Sequence, residues 1–179
     1  MVAGCAYIDQ NLQVTPQMSI SSINVGQGQK IALRVVDDRD EELIGKRHDG
    51  YGLSGAKIST QQDLVTVVKT FISDGFSKKG FEVVAEGESG VFVKVELRTL
   101  GYENSTGLWT AGNIGKAVVK VNVTHPSGKS YEKSYRSQKE IRTAFVASQE
   151  TNAKVINGAL SDALNKIFED DELLHFLAQ

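Results

Sequence analysis

The chain has 179 residues, 40% of them hydrophobic, enough for one packed core, and its 20 basic and 22 acidic residues leave a formal charge of −2. That balance supplies no global field to concentrate nucleic acid, so no nucleic-acid partner is expected. No apolar run approaches the roughly 18–20 residues of a membrane-spanning helix, and a single cysteine excludes an intrachain disulfide.

That cysteine is Cys5, preceded by Val2, Ala3 and Gly4. A branched apolar residue, a small residue, Gly or Ala, and then Cys is the order of a bacterial lipobox. Small side chains let the strand lie extended in a narrow peptidase site, as at other signal-cleavage points. The freed cysteine then carries a diacylglycerol on sulfur and a third acyl chain on its amine. Residues 1–5 are therefore read as a lipobox remnant with Cys5 as the lipidation site, and the basic and apolar parts of a signal peptide are expected upstream of Met1. Residues 6–29 are mostly polar, hold one of the two prolines and show no helical period. This reads as a tether whose roughly twenty residues, at about 3.1 Å each, would hold a domain tens of ångströms from a membrane. The alternation of Met18 and Ile20, then Ile23 and Val25, offers an edge strand as the alternative.

A single α+β domain is expected over 30–179. Ile31, Leu33 and Val35 alternate with Ala32, Arg34 and Val36, a strand ending at Asp37. The charged, glycine-bearing stretch from Asp38 to Ser59 reads as a long ordered loop. A helix follows, with Ser59 or Thr60 as cap and Gln62 or Asp63 completing a capping box. Its stripe is Leu64, Val67, Val68, Phe71 and Ile72, and Gly80 is the stop. "FEVVA" is a second strand, Val91 to Arg98 a third, and Gly101 to Gly115 a loop. Ala117, Val119, Val121 and Val123 face one way in a fourth strand, which "HPSGK" turns into a fifth, "SYEKSYRSQ". The last helix spans about Thr151 to Glu169, capped by Ser148 or Thr151, before a short turn burying Leu173, Leu174, Phe176 and Leu177. The order β-α-β-β-β-β-α predicts a two-layer sandwich: a mostly antiparallel sheet of about five strands with two helices on one face, its first two strands parallel across the helix.

Three motifs in order carry a resemblance to a known family. They are Asp37 and Arg39 after the first strand, Ile44, Gly45 and Arg47 in the loop, and Ala144, Phe145, Ala147 and Ser148 leading into the last helix. Together with the lipobox, they make the chain similar to the YajG-like lipoproteins of Gram-negative bacteria over roughly residues 30–177. The resemblance implies a periplasm-facing lipoprotein with no known catalysis. It also makes Ala6 informative: an Asp after the acylated cysteine would favour inner-membrane retention, so Ala6 implies the outer membrane. Acyl chains at about 0.8 kcal/mol per buried CH₂ make such an anchor permanent when several share one cysteine. The expected function is thus a non-catalytic binding or scaffolding module, with an envelope protein or anionic cell-wall polymer as partner.

The remaining chemistry is sparse. Asp37, Arg39 and Arg47 are expected to form an ion-pair network pinning the glycine-rich loop. The rival is a metal-assisted hydrolase built on Asp37, Asp38 and His48 in the acidic loop 37–48, and a second rival is an untethered cytoplasmic binding domain. His48, His125 and His175 show no metal-ligand spacing, and neither metal nor cofactor is expected. Seven basic residues between Lys116 and Arg142 stand against Glu132 and Glu140. With Tyr131 and Tyr135 interleaved among Lys120, Lys133 and Arg136, this hairpin is the expected partner surface, and Trp109 is an expected contact in the preceding loop.

Overall fold

The computed structural model describes residues 8–48, 54–106, 111–144 and 147–179. Within them the strands are β1 (Gln10–Asn11), β2 (Lys30–Asp37), β3 (Gly45–His48), β4 (Ser54–Ser59), β5 (Glu82–Val84), β6 (Phe92–Thr106), β7 (Ala111–Thr124) and β8 (Ser130–Thr143). The helices are α1 (Leu64–Lys78), α2 (Gln149–Phe168) and α3 (Asp171–Leu177).

All eight strands form one sheet organised on β6. One edge of β6 pairs with β7 along its whole length, and β7 pairs with β8, both antiparallel. The other edge is shared. β2 runs parallel to residues 92–97, and β3 meets β6 in parallel at Tyr102. β5 adds to β2 in parallel, while β4 pairs antiparallel with β3 and parallel with β1. The sheet is therefore mixed rather than mostly antiparallel, and it has eight strands where five were expected. The parallel pair β2–β5 across α1 is as expected; the further parallel pairs β2–β6, β3–β6 and β1–β4 are what make the sheet mixed.

The register explains the burial. Leu33, Val93, Val123 and Tyr131 form one cross-strand row, and Val35, Val95, Val121 and Lys133 the next. These rows face the helices, with the valines and Leu33 buried. The intervening row, Arg34, Lys94, Asn122 and Glu132, faces solvent. α1 packs over β2 and β5, α2 over β7 and β8, and the helices meet where Phe168 lies against Phe76, ring centroids 5.1 Å apart. Glycine permits this closeness: a Cβ on Gly75 would stand 2.2 Å from the Phe168 ring, and one on Gly115 would stand 2.3 Å from the Val155 carbonyl oxygen of α2.

Caps differ in part from expectation. α1 starts at Leu64 with Asp63 as its cap, accepting from the Val65 N–H at 3.1 Å, because Ser59 is still in β4. Gly80 ends the turn after α1 at φ 84°. Ser148 caps α2 and Asp170 caps α3. Phe176 is half-buried, its ring 5.7 Å from Tyr131. The loops expected at 38–59 and 101–115 are largely strand: β3 and β4 occupy much of the first, and β6 and β7 run into the second.

The largest correction concerns the expected tether. Residues 8–29 belong to the domain: Leu12 and Val14 are in its core, and Met18, Ile20 and Val25 pack on it. Nor is 18–25 an edge strand. The backbone of this segment is instead held by side chains of α2. Asn157 accepts from the Thr15 N–H at 2.9 Å and donates to the Gln13 carbonyl at 3.0 Å. Ser161 accepts from Gln17 N–H at 2.8 Å, while Asn165 accepts from Ser19 N–H and donates to the Gln17 carbonyl, each at 3.0 Å. Four helical residues rise about 6 Å and two extended residues about 6.6 Å, so side chains four apart on the helix match backbone groups two apart on the N-terminal segment. On the other flank the Gln62 side chain both donates to and accepts from Val14.

Candidate functional site: the β7–β8 hairpin and the anchor end

β8 alternates, so its expected contact residues divide between two faces. Tyr131, Lys133 and Tyr135 oppose Val123, Val121 and Val119 on the helix side, whereas Arg136 opposes Val118 on the open side, the side of Lys120. The first three converge on one carboxylate. Asp170 Oδ2 accepts from Tyr131 at 2.9 Å, Tyr135 at 2.6 Å and Lys133 at 2.7 Å. Burial by itself would push this carboxyl up, but hydrogen bonds from Lys133, Tyr135 and Tyr131 outweigh it and hold the group down at about 2. Burial and the same hydrogen bond raise the Tyr135 hydroxyl well above its ordinary range. The arrangement braces the start of α3 against the sheet.

Other cations of the hairpin are matched as well. Lys120 meets Glu132 at 2.8 Å, Lys116 meets Glu103 at 2.6 Å, Lys139 meets Asp162 at 2.6 Å and Arg142 meets Glu140 at 2.9 Å. Three of the neutralising carboxylates, Glu103, Asp162 and Asp170, come from β6, α2 and the α3 cap, outside the stretch that looked basic. Among the described residues, Arg136 and Lys129 are the cations of this stretch without an ion-pair partner. Trp109 lies outside the described residues.

The acidic loop divides similarly. Arg39 clasps Asp37 through two bonds of 2.8 Å and donates to the Glu42 carbonyl at 3.2 Å. Asp38 is engaged by Arg98, which also reaches Glu96 at 3.3 Å. Glu96 is held below its ordinary range, chiefly by the hydrogen bond from Lys94. Arg47 is buried in β3 and donates to the Ala147 carbonyl at 3.2 Å, ahead of α2. Both carboxylates of the rival hydrolase are thus occupied by guanidinium groups, and the His48 side chain lies outside the described residues. No group of three His, Cys, Asp or Glu among the described residues is placed to hold a metal.

Cys5 also lies outside the described residues, which begin at Ile8, just ahead of β1. The Lys57 N–H donates to the Asp9 carboxylate at 2.7 Å, so a side-chain bond ties the chain to β4 one residue before the Gln10–Ile58 pair. Ile8 is 64% exposed beside a hollow of about 440 Å³ lined by Arg47, Ala147 and Gln149. Beneath it, Asn152 is fully buried and donates to Gln10 at 2.8 Å, and Tyr102 donates to Asn113 at 2.7 Å. Sequence reading missed these buried polar groups. Their signal is the polar spacing along α2 and the period-two run Leu12, Val14, Pro16, Met18, Ile20.

Comparison with known proteins decides the family. A family model described as an uncharacterised lipoprotein matches residues 16–178. The chain belongs to this lipoprotein family. It is similar to the uncharacterised lipoprotein YajG of Escherichia coli, 22% identical over 181 residues, covering 100% of this chain and 92% of that protein. Its fold resembles that of a Xanthomonas campestris protein (TM-score 0.56, 11% identity, 90% of this chain and 91% of that one). It also resembles a minor lipoprotein of Acinetobacter baumannii (TM-score 0.51, 8% identity, 79% and 90%). The family match begins at residue 16, inside the segment held by α2. Membership implies an envelope location, and no described helix is long and apolar enough to cross a membrane.

Proposed function

We propose that this lipoprotein is fixed to the periplasmic face of the outer membrane through acyl chains on Cys5 and serves there as a non-catalytic binding or scaffolding module. The observation that carries the reading is the order Val2, Ala3, Gly4, Cys5 directly ahead of a domain that matches a lipoprotein family from residue 16. Several acyl chains make release from the bilayer negligible, which suits a locating device. Ala6 supports sorting to the outer membrane. The partner is an envelope protein or an anionic cell-wall polymer, met on the open face and turn of the β7–β8 hairpin, where, among the described residues, Arg136 on the face and Lys129 in the turn have no ion-pair partner. Envelope fractionation tests this: the native protein partitions with the outer membrane, Cys5→Ser with the soluble periplasm, and Ala6→Asp with the inner membrane. A native protein recovered in the soluble periplasm would contradict the anchor.

A further inference from the structure

Resting on lipidation at Cys5, we infer that one end of the sheet lies directly against the lipid headgroups: the end carrying Ile8, the start of β4, the last residues of β6 and the first of β7. The argument is one of length and direction. If 6–29 were free, the domain could tumble tens of ångströms from its anchor. The side chains of α2 and Gln62 remove that freedom from residue 13 onward, and β1 with Asp9 removes it almost to Ile8. Two residues, Ala6 and Tyr7, lie between Cys5 and Ile8, so three Cα–Cα steps give a covalent reach of at most about 11 Å.

The direction is set by pairing. β1 runs parallel to β4, so the chain followed back from Gln10 heads toward Ser54. β4 is antiparallel to β3, with Ser54 opposite His48, and β3 is parallel to β6 at Tyr102. The same direction therefore leads to Thr106 and its partner Ala111, the last residue of β6 and the first of β7. With Asp9 beside Lys57, Ile8 falls near Ala56, about 7 Å short of Ser54 along the strand. An anchor within about 11 Å of Ile8 brings this end to the headgroup level, and the exposed Ile8 side chain is the described apolar group nearest to it. The turn around Ser127 stands at the other end of β7, whose 14 residues span about 46 Å. The partner-facing surface is then the distal part, projected away from the bilayer.

The test uses the full-length lipidated protein, purified from membranes and reconstituted in phosphatidylethanolamine–phosphatidylglycerol vesicles with a fluorescent acceptor on the headgroups. Because Cys5 is acylated, a donor dye attaches to one introduced thiol, either Lys57→Cys or Ser127→Cys. Lys57 pairs with Lys46, which lies level with Glu103 and Ile114, so about ten strand residues, or about 33 Å, separate it from the end of β7 at Thr124. This predicts at least about threefold more energy transfer from Lys57→Cys than from Ser127→Cys. Inserting twenty Gly and Ser residues between Ala6 and Tyr7 is expected to abolish the difference. Equal transfer from the two sites with the native linker, or more from Ser127→Cys, overturns the orientation while leaving the anchor intact. Mass spectrometry of the purified protein separates the two failures: a Cys5 without acyl chains overturns the anchor and the orientation together.

Discussion

The two halves of β6 live in different surroundings. From Phe92 to Leu97 the strand lies between β2 and β7 under α1 and α2, and its inward residues Val93, Val95 and Leu97 meet an apolar core with Phe71, Phe76 and Phe168. From Leu100 to Thr106 it lies between β3 and β7, near the start of α2, and the buried groups include Tyr102, Asn113, Arg47, Asn152 and Gln10. There, Asn113 accepts from Tyr102 and donates to the Ile141 carbonyl and the Thr143 hydroxyl. Where apolar cover thins, directed hydrogen bonds take over the work of packing. Such a half depends more on geometry, because a buried polar group left without its partner costs more than the bond itself contributed.

The comparison can be broken by substitution, and the apolar Phe92–Leu97 half, distal to the proposed anchor, should show the largest loss; the Leu100–Thr106 half is the proximal one. Phe168→Ala removes the ring shared by Phe71, Phe76 and the groove at Gly75, and is expected to cost about 3–5 kcal/mol in denaturant unfolding. Asp170→Asn should cost about 2 kcal/mol at neutral pH. Its pH dependence has a definite sign. The carboxyl sits at about 2 in the folded chain against 3.8 for the free group. The unfolded chain therefore takes up the proton first, so the contribution is complete above about pH 4 and lost on descent to pH 2. Unfolding of the Asp170→Asn variant, followed across that window, should lack this part of the acid dependence. In the Leu100–Thr106 half, Tyr102→Phe removes the buried hydrogen bond to Asn113 and should cost about 1–2 kcal/mol.

The smallest global effect is expected where the two halves are linked by the N-terminal segment. Asn157→Ala with Asn165→Ala should leave the melting temperature within a few degrees of the native value. Amide exchange at Thr15 and Ser19 should nevertheless accelerate at least about tenfold, since about 1.4 kcal/mol of local protection would be lost. Unchanged exchange would mean that Leu12, Val14 and Met18 hold the segment without the amide ladder.

The same division marks what could be read in the sequence. The distal half was legible because its signals are strong: the alternation of β2, β6 and β7, and the apolar stripes of α1 and α2, come from residues whose burial is the main driving force. β3 and β4 were not, because "GKRH" and "SGAKIS" offer only Ala56 and Ile58 as an apolar alternation, and the strands that flank them, β6 and β1, are distant in sequence. The segment 8–29 was misread for a related reason. Asn157, Ser161 and Asn165 look like the wet face of a helix until the backbone of residues 13–19 is laid along them. The hairpin's basic character misled in the opposite direction, since Glu103, Asp162 and Asp170 come from elements outside the counted stretch.

The account depends most on acylation of Cys5. Growing the source bacterium with a clickable palmitate analogue should label the native protein and leave Cys5→Ser unlabelled at equal expression. A native protein that stays unlabelled would contradict the anchor and every functional consequence drawn from it.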